Sequence, residues 1–216
     1  KKILKIKALK RVRLSSIDVG EINDEIIKLI AGERRICRHF HIPVQSGDDQ
    51  ILSAMGRNYK VKDFFDKIKV IQRGIKDVAV TTDVIVGFPG ESESSFEKTY
   101  NLLKELDLKK IHVFKYSPRK KTRAAEMVNQ VSIEEKRKRS KKLQELSDSL
   151  GSRFAKKSIG AEVEVLVEEG KGLHQYGLTD NYLKVYFESK DDLKGKLVKV
   201  KLLKTEKHLA FGELIS

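Results

Sequence analysis

From Val78 to Val86 the chain runs through Val, Ala, Thr and Ile with one interruption, Asp83. A β-branched run this continuous predicts a strand buried on both faces, the situation of strands in helix-covered parallel sheets. The run stops at Gly87-Phe88-Pro89-Gly90-Glu91. That turn would lie at the strand's C-terminal end, where parallel α/β folds hold their ligands.

The flanking segments extend the pattern. Lys1 to Leu9 is amphipathic and reads as the tail of a helix, with Arg11 to Ser15 following as a short strand. Ile22 to Ala31 predicts a helix ended by Gly32, and Arg38 to Val44 a strand that Pro43 breaks at its exit. Helices are expected at Asp48–Met55, Val61–Arg73 and Ser94–Leu106, and a strand at Lys110–Tyr116. Four strands separated by helices point to an α/β barrel or open sheet. Ser132-Ile133-Glu134-Glu135 has the form of a capping box, opening a charged helix to about Lys157. After Gly160 the period changes to two, in Ala161–Val167, Tyr182–Tyr186 and Leu197–Leu202, with a last strand at Leu209–Ile215. This second part reads as a small all-β barrel. The expected organisation is an α/β unit over residues 1–157 and a β barrel over 158–216.

Charge narrows the partners. The net charge is +14, and it is concentrated: Lys109 to Lys142 holds thirteen Lys or Arg against Glu126, Glu134 and Glu135. Such a zone attracts polyanions by counterion release, although a solvated helix face would look the same. From Ser158 onward acids slightly outnumber lysines, so the small barrel cannot bind nucleic acid by charge alone. No segment approaches the roughly 18 uncharged apolar residues of a membrane span. The lysine-rich start is unlike a signal peptide. A single cysteine, Cys37, excludes an internal disulfide and suits a reducing, cytoplasmic setting.

Several segments coincide with one family. His41-Ile42-Pro43-Val44-Gln45-Ser46-Gly47, Met55-Gly56-Arg57-Asn58-Tyr59, Thr82-Asp83-Val84-Ile85-Val86-Gly87-Phe88-Pro89-Gly90-Glu91 and Phe114-Lys115-Tyr116-Ser117-Pro118-Arg119 resemble the methylthiotransferase family of radical S-adenosylmethionine enzymes. The terminal β unit resembles the RNA-binding TRAM domain. The resemblance implies a partial parallel β/α barrel, TIM-like, followed by an OB-like TRAM barrel. Arg11-Val12-Arg13-Leu14-Ser15-Ser16-Ile17, Arg38-His39-Phe40-His41 and Thr179-Asp180-Asn181-Tyr182-Leu183-Lys184-Val185-Tyr186 resemble the branch acting on threonylcarbamoyladenosine in tRNA. They look less like the isopentenyladenosine branch or the ribosomal-protein branch.

The family's cofactors are S-adenosyl-L-methionine and two 4Fe-4S clusters. Its Cys-x-x-x-Cys-x-x-Cys loop has no counterpart here, nor do the three cysteines of its N-terminal domain. One thiolate cannot hold a cluster. These 216 residues are therefore expected to be one portion of a longer enzyme, without a cluster and inactive alone. Lys120 and Lys121 stand where relatives usually have a Pro-Gly-like turn.

The resemblance assigns cofactor contacts to Gln45, Ser46, Asp83, Gly87, Phe88, Tyr116 and Arg119. Gly87 would let main chain approach the adenine; alone, its segment reads as a plain βα turn. Gln45 and Ser46 would face the ribose or the methionine end. Asp83 fits either a cofactor contact or a buried structural hydrogen bond, and His41 either a satisfied core histidine or a ligand. Tyr116 and Arg119 would stack on the adenine or hold a carboxylate. Cys37 reads as a small buried residue. For RNA the candidates are Arg57, Lys115, Arg119, Lys120, Lys121 and Arg123, with Tyr176 and Tyr182 as stacking surfaces. His174, Tyr186, Phe187 and Phe211 share that role, about half of the set being core. The implied partners are a tRNA anticodon stem-loop and an electron donor protein, with no membrane; oligomeric state is open. The rival reading is an RNA-binding module with a non-catalytic barrel.

Overall fold

A computed structural model describes residues 2–215. Three parallel strands form its first sheet, in the order β1 (His39–His41), β2 (Ala79–Val86) and β3 (Lys110–Lys115). Helices α1 (Asp24–Gly32), α2 (Asp49–Ala54), α3 (Val61–Gly74) and α4 (Glu93–Glu105) connect or precede these strands. Their starts follow local chemistry. Asn23, Asp48 and Ser92 each accept hydrogen bonds from backbone N–H groups of the first turn, which no intrahelical carbonyl can satisfy.

The sheet is two-faced. Phe40, Ile42, Val80, Val84, Val86 and Ile111 point into the core with Phe64, Ile68, Ile71, Phe96 and Leu103 of α3 and α4. The opposite face carries His41, Asp83, Ile85, His112 and Phe114, none of them fully buried, and Phe114 is 52% exposed. The expected burial of β2 on both faces therefore holds only as far as Thr82. Beyond it alternate residues open to a lumen, and Asp83 was the residue that marked the change.

Other expectations are corrected in detail. Lys2 to Leu9 has only a 3-10 turn, Ile3–Lys5, rather than a helix end. Arg11 to Ser15 is not a strand: single parallel bridges join Val12 to Ile36 and Ser16 to His41. The parallel sheet thus has three strands rather than four. Helix α5 (Arg123–Glu126) is a short turn, and α6 (Ile133–Lys156) lies along the sheet's covered face. Ser132 caps α6 by accepting from Glu135 N, but the reciprocal half of a capping box is missing. The Glu135 carboxylate faces Lys138 and Arg139 instead.

The second unit is a closed barrel, β4-β5-β6-β8-β7, made of β4 (Glu162–Lys171), β5 (His174–Thr179), β6 (Lys184–Glu188), β7 (Leu197–Glu206) and β8 (Leu209–Ile215). Strand β5 has no apolar alternation because its inward positions are Gln175, Thr179 and, between them, Gly177. A Cβ there would lie 2.0 Å from Leu166 O, so only glycine lets β4 and β5 pair. Val165, Val167, Leu183, Val185, Phe187, Val200 and Leu202 fill the barrel.

The two units meet at the turn between β5 and β6. Arg11 donates to Leu178 O at 2.8 Å and Arg13 to Thr179 O at 3.1 Å. Asn181 donates back to Asp77 O at 3.1 Å. The ring of Tyr182 stacks on His39 at 4.4 Å between centroids, with the Arg13 guanidinium 4.7 Å away. The three segments read as branch-like from sequence thus converge on one joint.

Candidate cofactor pocket and nucleic-acid face

Gln45, Asp83, Tyr116 and Arg119 come together around one cavity of about 410 Å³, with Ile85, Phe114 and Ser117 in its wall. It lies at the C-terminal edge of β2 and β3. Gln45 has a φ of 67°, a left-handed backbone that costs a side-chain-bearing residue about 1 kcal/mol or more. Two bonds to β2 hold it there: its N–H donates to Asp83 O, and its carbonyl accepts from Ile85 N, both at 2.9 Å. Its amide side chain makes no hydrogen bond among the described residues. Tyr116 stands edge-on to Phe88, and its buried hydroxyl has no partner among the described residues.

Two of the expected cofactor residues, Ser46 and Gly87, lie elsewhere. Ser46 is fully buried, and its hydroxyl faces Thr99 Oγ1 and the Asp48 N–H, away from the cavity. Gly87 approaches a side chain rather than an open cavity: a Cβ would fall 2.2 Å from Lys136 Cγ. Its N–H donates to Glu91 Oε2 at 2.6 Å, and Arg139 of α6 donates to the same oxygen at 2.8 Å. Burial pushes the Glu91 carboxyl above its usual range. The Gly87–Glu91 turn is thus anchored from behind by α6, which the sequence could not show because Arg139 lies 48 residues downstream. Phe88 lines a neighbouring cavity of about 590 Å³ with Arg57, Arg123, Met55 and Met127. The two cavities share Ile85 and Ala124, so they form one trough.

Charge around this trough is unbalanced. Arg57, Lys115, Arg119, Lys120, Lys121 and Arg123 are all exposed, and none forms a salt bridge among the described residues. Lys121 adopts a φ of 67°, so the turn keeps the left-handed geometry a glycine would favour. The rest of the basic zone is partly structural. Lys109 is buried, which lowers its pKa to about 8, and Lys136 and Arg139 are buried against α6's neighbours.

On the small barrel Tyr176, Tyr186 and Phe211 form a row, with centroid separations of 5.4 and 5.5 Å. Lys184 Nζ sits 3.8 Å from the Tyr176 ring, and Lys204 lies near Phe211. Tyr176 and Tyr186 are half-buried and His174 is exposed, while Phe187 belongs to the core. Tyr182 does not join the row, because its ring is occupied at the joint with His39.

The lumen layer below the cavity holds His41, Asp83 and His112. His41 Nε2 is 3.2 Å from Asp83 Oδ2, and His41 Nδ1 is 2.9 Å from Thr81 Oγ1. Burial lowers the pKa of His112. Cys37 is fully buried, and burial raises its thiol pKa. Among the described residues no helix is long and apolar enough to cross a membrane.

Comparison with known proteins agrees with this geometry. Residues 1–103 match the Radical SAM superfamily and residues 156–215 the TRAM domain. The chain is 41% identical to a threonylcarbamoyladenosine tRNA methylthiotransferase, MtaB, of Bacillus subtilis, over 93% of this chain and 46% of that protein. It is 38% identical to a tRNA-2-methylthio-N(6)-dimethylallyladenosine synthase of Aquifex aeolicus, over 99% of this chain and 48% of that protein. The chain spans about half the length of the curated relatives it matches. Among solved structures, the radical SAM coproporphyrinogen III oxidase HemN of Escherichia coli superimposes with a TM-score of 0.52 at 11% identity, over 90% of this chain and 46% of that one. The fold is therefore a radical SAM parallel sheet joined to a five-stranded TRAM barrel. Along nearly its whole length the chain is similar to radical SAM tRNA methylthiotransferases.

Proposed function

We propose that this chain carries part of the S-adenosylmethionine chamber and the RNA-binding barrel of a tRNA methylthiotransferase. The full-length enzyme would add a methylthio group to C2 of threonylcarbamoyladenosine beside the anticodon. The observation that supports this reading is the trough at the strand ends, rimmed by Arg57, Lys115, Arg119 and Arg123 without acidic partners.

The trough suits the cofactor. Ile85, Phe114 and Tyr116 offer apolar walls for a planar base, and Gln45, Asp83 and Arg119 offer polar groups for the ribose and the amino-acid end. Tyr116 lines the trough, and its hydroxyl has no hydrogen-bond partner among the described residues. Cluster-bound S-adenosylmethionine supplies the radical that an unactivated aromatic C–H requires. The cluster itself does not fit these residues: Cys37 is the one thiol and is fully buried. Its ligands must come from outside the 216 residues, and the electron would come from a donor protein.

For the RNA, the exposed cations hold phosphates while Tyr176, Tyr186 and Phe211 stack against unpaired bases. Adenine C2 lies on the base edge, so the nucleotide must be splayed into the trough. Arg119, and next to it Arg57, would hold the carboxylate of the threonylcarbamoyl group through charge-assisted bonds. An isopentenyl group has no such carboxylate, and this difference favours the threonylcarbamoyl substrate over the one in the names of the dimethylallyladenosine relatives. Mass spectrometry of tRNA nucleosides made by the full-length enzyme tests the proposal.

A further inference from the structure

We propose that His41, Asp83 and His112 form a site for a divalent first-row transition-metal ion on the lumen face of the parallel sheet. The three residues come from β1, β2 and β3. Asp83 and His112 are cross-strand partners, and His41 pairs with Thr81, two residues before Asp83. One donor atom from each lies within 4.8 Å of the other two. A tetrahedral ion with bonds of about 2.0–2.1 Å separates its ligand atoms by about 3.4 Å. His41 Nε2 and Asp83 Oδ2, at 3.2 Å, already have that spacing. A donor nitrogen of His112, within 4.8 Å of both, would close in to the same spacing on binding an ion.

Two further observations favour an ion over a plain imidazole–carboxylate pair. Thr81 Oγ1 meets His41 Nδ1 at 2.9 Å and aims Nε2 at Asp83, the arrangement by which metal-ligating histidines are oriented through their second nitrogen. His112 has only an edge contact with His41, centroids 5.5 Å apart, and no hydrogen bond among the described residues. A His–Asp pair has no use for this third, unpartnered imidazole; a shared cation does. Two imidazoles and one carboxylate suit Zn²⁺, Co²⁺, Fe²⁺ or Ni²⁺, and three protein ligands leave a coordination position open toward the lumen. No thiol takes part, so the site is separate from iron–sulfur ligation. It is also separate from the cofactor pocket except at Asp83, which borders both.

The test is calorimetric titration of the 216-residue chain with Zn²⁺, and with Co²⁺ followed by its visible absorption. One equivalent is expected to bind. His112→Gln should weaken binding at least about tenfold, and Thr81→Val by about tenfold through loss of ring orientation, with far-ultraviolet circular dichroism unchanged. His174→Gln, at the surface pair with Glu188, should leave binding intact. No stoichiometric Zn²⁺ binding, or binding that His112→Gln leaves unchanged, would overturn the proposal. Neither His112 nor Thr81 lines the cofactor pocket, so that outcome leaves the methylthiotransferase reading standing.

Discussion

Arg38 Nε lies 2.6 Å from Asp180 Oδ2, closing the parallel sheet onto the turn of the small barrel. Both side chains are about one-third exposed, and the hydrogen-bonded carboxylate raises the arginine's pKa. Arg38 also donates to Lys76 O at 3.0 Å. A partly exposed pair of this geometry is worth about 1 kcal/mol. Arg38→Ala and Asp180→Ala should each lower stability, and a double-mutant cycle in urea should show coupling of about 1 kcal/mol. Coupling near zero would mean that the joint is held by its other contacts, those of Arg11, Arg13, Asn181 and Tyr182.

His39 makes the same joint sensitive to pH. Burial, with the nearby Arg13 charge, lowers its pKa to about 3. A histidine depressed in the folded state contributes stability above its unfolded pKa, and that contribution is lost as pH falls toward the folded value. Between about pH 6.5 and 3 the unfolded chain takes up a proton that the folded chain refuses, with a slope of up to about 1.4 kcal/mol per pH unit. His39→Gln should flatten the pH dependence of the urea midpoint in this window relative to the parent. Parallel profiles would show that His39 titrates normally.

The anchor behind the Gly87–Glu91 turn should be costly to break. Arg139 is 6% exposed in its side chain and Glu91 only 1%. Removing Arg139 leaves a buried carboxylate without its cation, so Arg139→Leu should destabilise by about 3–5 kcal/mol. Glu91→Gln keeps an acceptor for Gly87 N–H and should cost less, about 1–2 kcal/mol. Thermal unfolding of both variants checks the order; the reverse order would remove the charge from the explanation.

RNA binding should separate the two kinds of tyrosine. If about five phosphates are neutralised, the log–log dependence of tRNA affinity on salt should have a slope near −4. Tyr186→Ala should weaken binding by about 1–3 kcal/mol with little change in that slope. Tyr182→Ala should instead reduce stability, because it unpacks His39. Gel shifts across a salt series, with unfolding curves for the same variants, would reveal any exchange of these roles.

The parallel sheet, its helices and the closing barrel were legible because period and capping are local properties. What was not legible depends on distant partners. Ser46 looked like a cofactor contact from its motif, yet Thr99 draws it into the helix layer. Tyr182 looked like a stacking platform, yet His39, 143 positions earlier, takes its ring. Asp83 was visible as the break in an apolar run, but its two imidazole neighbours come from separate strands and carry no motif spacing. Strand β5 carries no apolar alternation, because its buried positions are Gln175, Thr179 and Gly177, the last required by the close approach of β4.

Nucleoside mass spectrometry reads the substrate of the full-length enzyme directly. A strain lacking the full-length gene would be complemented with it, and its tRNA digested to nucleosides. Threonylcarbamoyladenosine should gain a methylthio group while isopentenyladenosine and unmodified adenosine should not. Arg119→Ala should reduce that product, since an unpaired carboxylate in the trough is strongly disfavoured. A threonylcarbamoyl nucleoside that stays unthiolated while isopentenyladenosine gains the methylthio group would rule out the threonylcarbamoyl substrate.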